Sequence, residues 1–197
     1  MEENTENKVE FGLKNAYYAI ATDDGSKLSY TTPVPLKGAT ELSIDPEGDS
    51  NDFYADDTKY YTSVSNQGYS GKLTVARLND QFNQDVFGDI IDATTGMQVD
   101  NTDAEPKQFA LLFEFSGDKN RTRHVMFNVT ATRPSIGSKT KEDKTEVNTQ
   151  ELSFTAAPDP YEHRSHGKVS EGSPSYSDFF SEVVVPGKAA ATTSTEG

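Results

Sequence analysis

Phe109-Ala110-Leu111-Leu112-Phe113-Glu114-Phe115 and, shortly after it, Val125-Met126-Phe127-Asn128-Val129-Thr130-Ala131 decide the fold. In the first stretch Phe109, Leu111, Phe113 and Phe115 alternate onto one face, the period of a β-strand. In the second, Val125, Phe127, Val129 and Ala131 are expected to face one way, with Asn128, Thr130 and Thr132 opposite. Ser116-Gly117-Asp118-Lys119-Asn120 between them is short and rich in turn formers, so the pair reads as an antiparallel hairpin.

Working outward, the same logic marks further strands. Ala16 to Thr22 carries Tyr17, Tyr18 and Ile20, and Asp23-Asp24-Gly25-Ser26 turns it into a return over Lys27 to Thr32. Ala39 to Ile44, Asp52 to Tyr54, Lys59 to Val64, Gly71 to Leu78 and Glu151 to Ala156 follow. A short helix is expected after Asn79, an N-cap, with Asp80 complementing the dipole. Phe82 and Val86 share one face of it, and Gly88 closes it in the left-handed conformation. Ser175 to Val184 is a weaker helical candidate. Ile91 to Pro106 and Arg133 to Glu146 read as loops. The fold class is therefore mainly β, an antiparallel sandwich or barrel with one short flanking helix and long loops. The organisation expected is a β domain over 1–158, an extension over 159–186 holding the possible second helix, and an Ala-Thr-Ser-rich disordered tail over 187–197.

Composition narrows function. The chain has 197 residues, a length that suits one domain with tails, and only 33% of them are hydrophobic. It has no cysteine, which excludes a disulfide scaffold and a thiolate metal site. Met1 to Glu10 is polar and acidic, unlike a secretion signal, and no window is apolar enough to span a bilayer, so a soluble protein without a membrane partner is expected. The net charge of -14 argues against gripping nucleic acid.

No enzyme signature survives inspection, and neither a cofactor nor a metal is expected. His163 and His166 could share a metal, but a third ligand is missing and a solvated loop explains them better. His124 reads as a surface or strand-edge residue. Asp45-Pro46-Glu47-Gly48-Asp49 lacks the EF-hand spacing and reads as a turn between strands. Asn128-Val129-Thr130 fits a glycosylation sequon only by accident, inside a strand. Asn66 to Lys72 has Gly and Lys but lacks the phosphate-loop pattern. Tyr54, Tyr60, Tyr61 and Tyr69 cluster in a polar stretch. Strand packing combined with subunit contact explains them best, a sugar platform less well.

A longer ordered set carries a resemblance. It runs through Phe11-Gly12-Leu13-Lys14-Asn15-Ala16-Tyr17-Tyr18, Pro33-Val34-Pro35, Leu42-Ser43-Ile44-Asp45-Pro46-Glu47-Gly48 and Phe53-Tyr54-Ala55-Asp56-Asp57. Tyr60-Tyr61, Asn66-Gln67-Gly68-Tyr69-Ser70-Gly71, Phe87-Gly88, Phe109 to Phe115, Arg121 to Val125 and Thr130 to Ser135 continue it. In order and spacing the set resembles the major tail proteins, the tail tube proteins, of siphophages, over about residues 8 to 157.

The resemblance implies a tail-tube β-sandwich or barrel and a structural role. Such proteins form hexameric rings, stacked into a tube around a tape-measure protein, through which DNA later passes. Implied partners are further copies of the chain, the tape-measure protein, the tail terminator and the distal tail proteins. DNA would transit without specific binding, and the location would be a virion tail assembled in bacterial cytoplasm. The loops over 48–68 and 133–146 are the expected contacts between rings. Candidate interface residues are Tyr54, Tyr60, Tyr61, Tyr69, Lys139, Lys141, Glu142, Asp143, Phe179 and Phe180. The alternatives are a monomeric β-sandwich binding module for carbohydrate or a virion surface, and a capsid decoration protein.

Overall fold

A computed structural model describes residues 12–55, 58–137 and 148–187, with backbone alone for 50–55 and 59–64. In chain order its elements are β1 (Leu13–Asp23), β2 (Leu28–Tyr30), β3 (Val34–Pro35), β4 (Ala39–Glu47), β5 (Ser50–Ala55), β6 (Thr58–Val64), β7 (Gly68–Val75), α1 (Asp80–Phe87), β8 (Ile90–Ile91), β9 (Gln98–Val99), β10 (Phe109–Phe115), β11 (Arg123–Ala131), β12 (Gln150–Ala157) and β13 (His166–Val169). The fold is mainly β, and every strand pair in it is antiparallel.

The expected hairpin, β10 and β11, sits at the middle of the main sheet, whose order is β2-β1-β10-β11-β12-β7-β4. One face of these strands converges on a single apolar interior with Tyr18, Phe82, Val86, Phe109, Leu111 and Leu152. Partly buried Leu42 and Ile44 of β4 join it from the far end of the order, so the sheet curls around this core. Burying each such side chain stabilises by roughly 1.5–3 kcal/mol. Helix α1 supplies Phe82, Val86 and Phe87 to the same interior. Its caps are as the sequence predicts: the Asn79 side chain accepts from Phe82 N–H at 2.9 Å, and Gly88 lies at φ 72°.

Both faces of the hairpin are buried. Ala110, Leu112, Val125 and Phe127 belong to a second cluster that the C-terminal segment covers with Phe179. The expected alternation of β11 therefore fails: Val125 and Phe127 face this second cluster, whereas Val129 and Ala131 face the main one. A β-bulge is the reason. Leu111 pairs with Met126 but Phe109 with Val129, so β11 holds one extra residue there and its side chains change faces. A second bulge in β1, between Lys14 and Tyr17, holds Asn15 at φ 50°.

Several boundaries depart from the sequence reading. Asp45, Pro46 and Glu47 lie within β4 rather than in a turn. Proline is tolerated there because β4 is the margin of the sheet. The strands expected at Asp52 to Tyr54 and Lys59 to Val64 are present, and β5 pairs with β6 as a hairpin that continues the β4–β7 ladder through Gln67 N–H to Glu47 O and Ser65 N–H to Asp49 O. The polar loop after Ile91 includes a small hairpin, β8 with β9. Ser175 to Val184 forms turns instead of a helix, closed by bonds such as Tyr176 N–H to Ser173 O and Glu182 N–H to Asp178 O. The extension after 158 contributes β13, which pairs with β11 beyond the point where β12 leaves it.

Candidate assembly surface

The margin of the main sheet is the first feature. Among the described residues β4 pairs only with β7, which leaves its other row of backbone groups without a strand partner. Leu42 and Ile44 turn inward, and Glu41, Ser43, Asp45 and Glu47 are exposed. An uncovered margin of this kind is a template for another chain, and its charges and Pro46 restrict which chains can pair. At the opposite end of the order β1 pairs with β10, and its other strand partners among the described residues are the short β2 and β3.

The second feature is an aromatic groove where β10 ends and β11 begins. It has a volume of about 260 Å³ and is lined by Leu42, Ile44, Tyr69, Phe115, His124 and His166, over Phe113 and Met126. Phe113, His124 and His166 form a stack, with centroids 5.2 and 5.4 Å apart and planes within 12°. Tyr69 meets His166 edge-on at 6.1 Å. Burial, with the neighbouring His166 and Lys168, lowers His124 to about 4 against the smaller upward pull of Asp118. His166 is also lowered, by burial and then by Lys168. Both rings are therefore neutral at pH 7.

The third feature is the β8–β9 hairpin. Ile90, Ile91, Met97 and Val99 are 58%, 48%, 62% and 48% exposed. Ile90 and Val99 stand directly opposite each other in the register, on one face. The hairpin is rigidly made. Asp92 accepts from Thr94 N–H, Thr95 N–H and the Thr95 hydroxyl at 2.7–3.1 Å, and Gly96 takes φ 70° in the turn. Its base is fixed by Arg133, which meets Asp89 at 2.6 Å, Asp100 at 3.4 Å and the Phe87 carbonyl at 3.0 Å. Burial pushes Asp89 up, but its hydrogen bonds from Arg133 and Gln98 win and hold it below the ordinary carboxylate range.

The sequence-predicted residues fall as follows. Tyr69 is half-buried in the groove. Tyr54 and Tyr60–Tyr61 lie on β5 and β6, with side chains outside what is described. Lys139, Lys141, Glu142 and Asp143 lie outside the described residues. Phe180 is half-buried and stacks on Tyr17 at 4.8 Å. Phe179 is wholly buried against its own chain, which corrects its reading as a contact for a partner. His163 and His166 do not pair. His166 meets His124 instead, because β13 lies beside β11. Among the described residues no cluster of three or more His, Cys, Asp or Glu is placed to hold a metal. Sequence reading missed the β8–β9 hairpin, although Ile90-Ile91 and Met97-Gln98-Val99 around Asp92 to Gly96 were a visible signal.

No family model matches the chain, and no curated protein matches it. Solved structures similar to it include the cap of the anti-feeding prophage, described as a tube terminating cap, at 10% identity and a TM-score of 0.47, over 86% of this chain and 99% of that one. A sheath/tube terminator of the PVC extracellular contractile injection system aligns at 10% identity and TM-score 0.41, over 79% and 93%. A chain of the PVC sheath-tube complex aligns at 10% identity and TM-score 0.42, over 83% and 93%. Likenesses this distant carry no weight for what this chain does.

Proposed function

We propose that the chain is a structural subunit that assembles with copies of itself into rings, stacked as a phage-type tail tube. The observation that supports this best is the β4 margin, which has no second strand partner among the described residues, together with its β5–β6 continuation. Closure of a ring from identical copies would pair such margins without an open end. Rings built this way would be hexameric, as in the tail proteins that the sequence resembles, with a tape-measure protein inside and terminator and distal tail proteins at the tube ends. Glu41, Asp45, Glu47 and Asp49 are exposed along the same ladder. Facing a lumen, they would repel phosphate and let DNA slide, since they offer no cation to replace its counterions.

Negative-stain microscopy of the concentrated full chain tests the reading. Rings or tubes are expected. Single particles of monomer size at high concentration, unchanged by added terminator or tape-measure protein, would remove it.

A further inference from the structure

We propose that the His124–His166 pair is an acid-sensitive latch on β13, released by one proton on His166. The latch is independent of the assembly reading, since every contact in it lies within one chain.

Strand β13 is lightly held. Among the described residues it pairs with β11 alone, over four residues, beyond the point where β12 leaves. On one face Gly167 brings no side chain and the partly buried Val169 packs against the second cluster. On the other, His166 Nε2 meets His124 Nδ1 at 3.1 Å. The strand then runs on into the C-terminal segment.

The two rings are not equivalent. His124 Nε2 is buried without a hydrogen-bond partner among the described residues, whereas His166 is exposed. A neutral imidazole carries its proton on one nitrogen only. A proton on His124 Nε2 would be a buried N–H donor with nothing to accept it, a rarer and costlier orphan than a bare lone pair. The proton of neutral His124 therefore sits on Nδ1 and is donated to His166 Nε2. Protonation of His166 at Nε2 removes that acceptor. His124 has only one way to answer, moving its own proton to the orphaned nitrogen. One proton on the exposed ring thus breaks the bond, and a charge on the buried ring is not required.

The surroundings set the direction. Strands β4, β10 and β11 face the pair with Leu42, Ile44, Phe113, Phe115 and Met126, and β7 adds Tyr69. The charged groups acting on it are Lys168, opposite His124 in the register, and Asp118 of the β10–β11 turn. Lys168 opposes a proton on either ring, and Asp118 favours one on His124. Burial and then Lys168 lower His166 from 6.5 while the latch is shut, so the released strand binds the proton more readily. The latch is fully closed above 6.5 and is lost progressively as the pH falls below it. Its opening bares the β11 backbone over 123–126 and removes one wall of the aromatic groove.

Amide hydrogen exchange of the full chain, read by NMR at about pH 7.5 and about pH 5 and corrected for intrinsic rates, tests the latch. Residues 166–169 should exchange faster than β10 at both values, which marks a local opening. Their protection should fall roughly fivefold at the lower one, the contribution of one hydrogen bond. His166→Gln, at an exposed position, should show the lower protection at both. Imidazole nitrogen shifts should place the proton of neutral His124 on Nδ1. Unchanged protection in the wild type overturns the proposal. So does exchange of β13 in step with β10, a fall with acid that persists in His166→Gln, or a neutral His124 that carries its proton on Nε2.

Discussion

His124 of β11 and His166 of β13, 42 residues apart in sequence, stack with planes 12° apart and with Nδ1 of the first 3.1 Å from Nε2 of the second. That separation suits one neutral ring donating to the other, and not two imidazolium ions. His124 Nε2 is buried without a hydrogen-bond partner among the described residues, so protonation there leaves a charge uncompensated. The folded chain lowers His124 from 6.5 to about 4, so between those values the unfolded chain binds more protons. Stability is thus fully present above 6.5 and declines as the pH falls towards 4. With partial exposure discounted, the loss is on the order of 1 kcal/mol, or about 2–4 °C in Tm. Thermal melts of the wild type and His124→Gln across that window check it: the substitution should flatten the slope, and parallel curves would refute the assignment.

The histidine pair shows where sequence reading stopped. The alternating residues of β10 and the Asn79 and Gly88 caps were legible because each depends on neighbours in the chain. The bulge that turns Val125 and Phe127 to the second cluster was not, because a register shift is set by pairing with β10. The same limit hid the His124–His166 contact, which exists only because β13 returns beside β11. Pro46 misled for a different reason. Proline marks a turn by propensity, but the β4 margin has a row of N–H groups that need no partner strand.

Gly71 is set by a close approach between strands and not by its φ. A Cβ there would lie 2.5 Å from Phe154 Cζ and 2.5 Å from the Ser43 carbonyl oxygen. The backbone oxygen cannot move without breaking the β4–β7 ladder. Gly71→Ala should destabilise by about 1–3 kcal/mol, the usual range for overpacking. Adding Phe154→Leu should recover only the part due to the ring. Chemical denaturation of the single and double variants measures both, and a neutral Gly71→Ala would show that β4 can shift away.

Asp159 organises the excursion between β12 and β13. It is 2% exposed, accepts from Tyr161 N–H at 2.8 Å and Glu162 N–H at 3.3 Å, and pairs with Arg164 at 3.1 Å. Burial raises its carboxyl, but the two backbone bonds and Arg164 outweigh that and hold it below 3.8. Its contribution is therefore present above 3.8 and lost as the pH falls through the lower, folded value, a window below that of His124. Asp159→Ala leaves Arg164 with a lost partner and should cost about 3–5 kcal/mol. Asp159→Asn keeps an acceptor for the backbone and should cost less. Equal losses in calorimetry would mean that the ion pair, and not the loop bonds, holds the excursion.

Arg123 fastens the C-terminal segment to the sheet. Its guanidinium lies 3.8 Å from the Tyr176 ring centroid and 4.7 Å from that of Phe180, donates to the Tyr176 carbonyl, and meets Glu114 at 3.2 Å. Behind it, Phe179 closes the second cluster over Leu112 and Phe127. Replacement by alanine removes the cation from beside two rings and leaves Glu114, 9% exposed, with Lys14 at 3.9 Å and Asn15 at 2.6 Å to answer its charge among the described residues. The main core does not depend on this contact, since its residues come from the opposite face of the sheet. Arg123→Ala should therefore release the segment over 171–187 while β10 and β11 stay folded. Hydrogen exchange read by mass spectrometry should show faster exchange in that segment, and limited proteolysis should cut near Tyr176 and Phe180. Arg123→Lys should rescue only weakly, because an ammonium keeps the charge but cannot stack against two rings and donate in the same plane. If exchange instead rose across β10 and β11 together with the segment, the clasp would be part of one cooperative unit with the main core, and its separate role would be wrong.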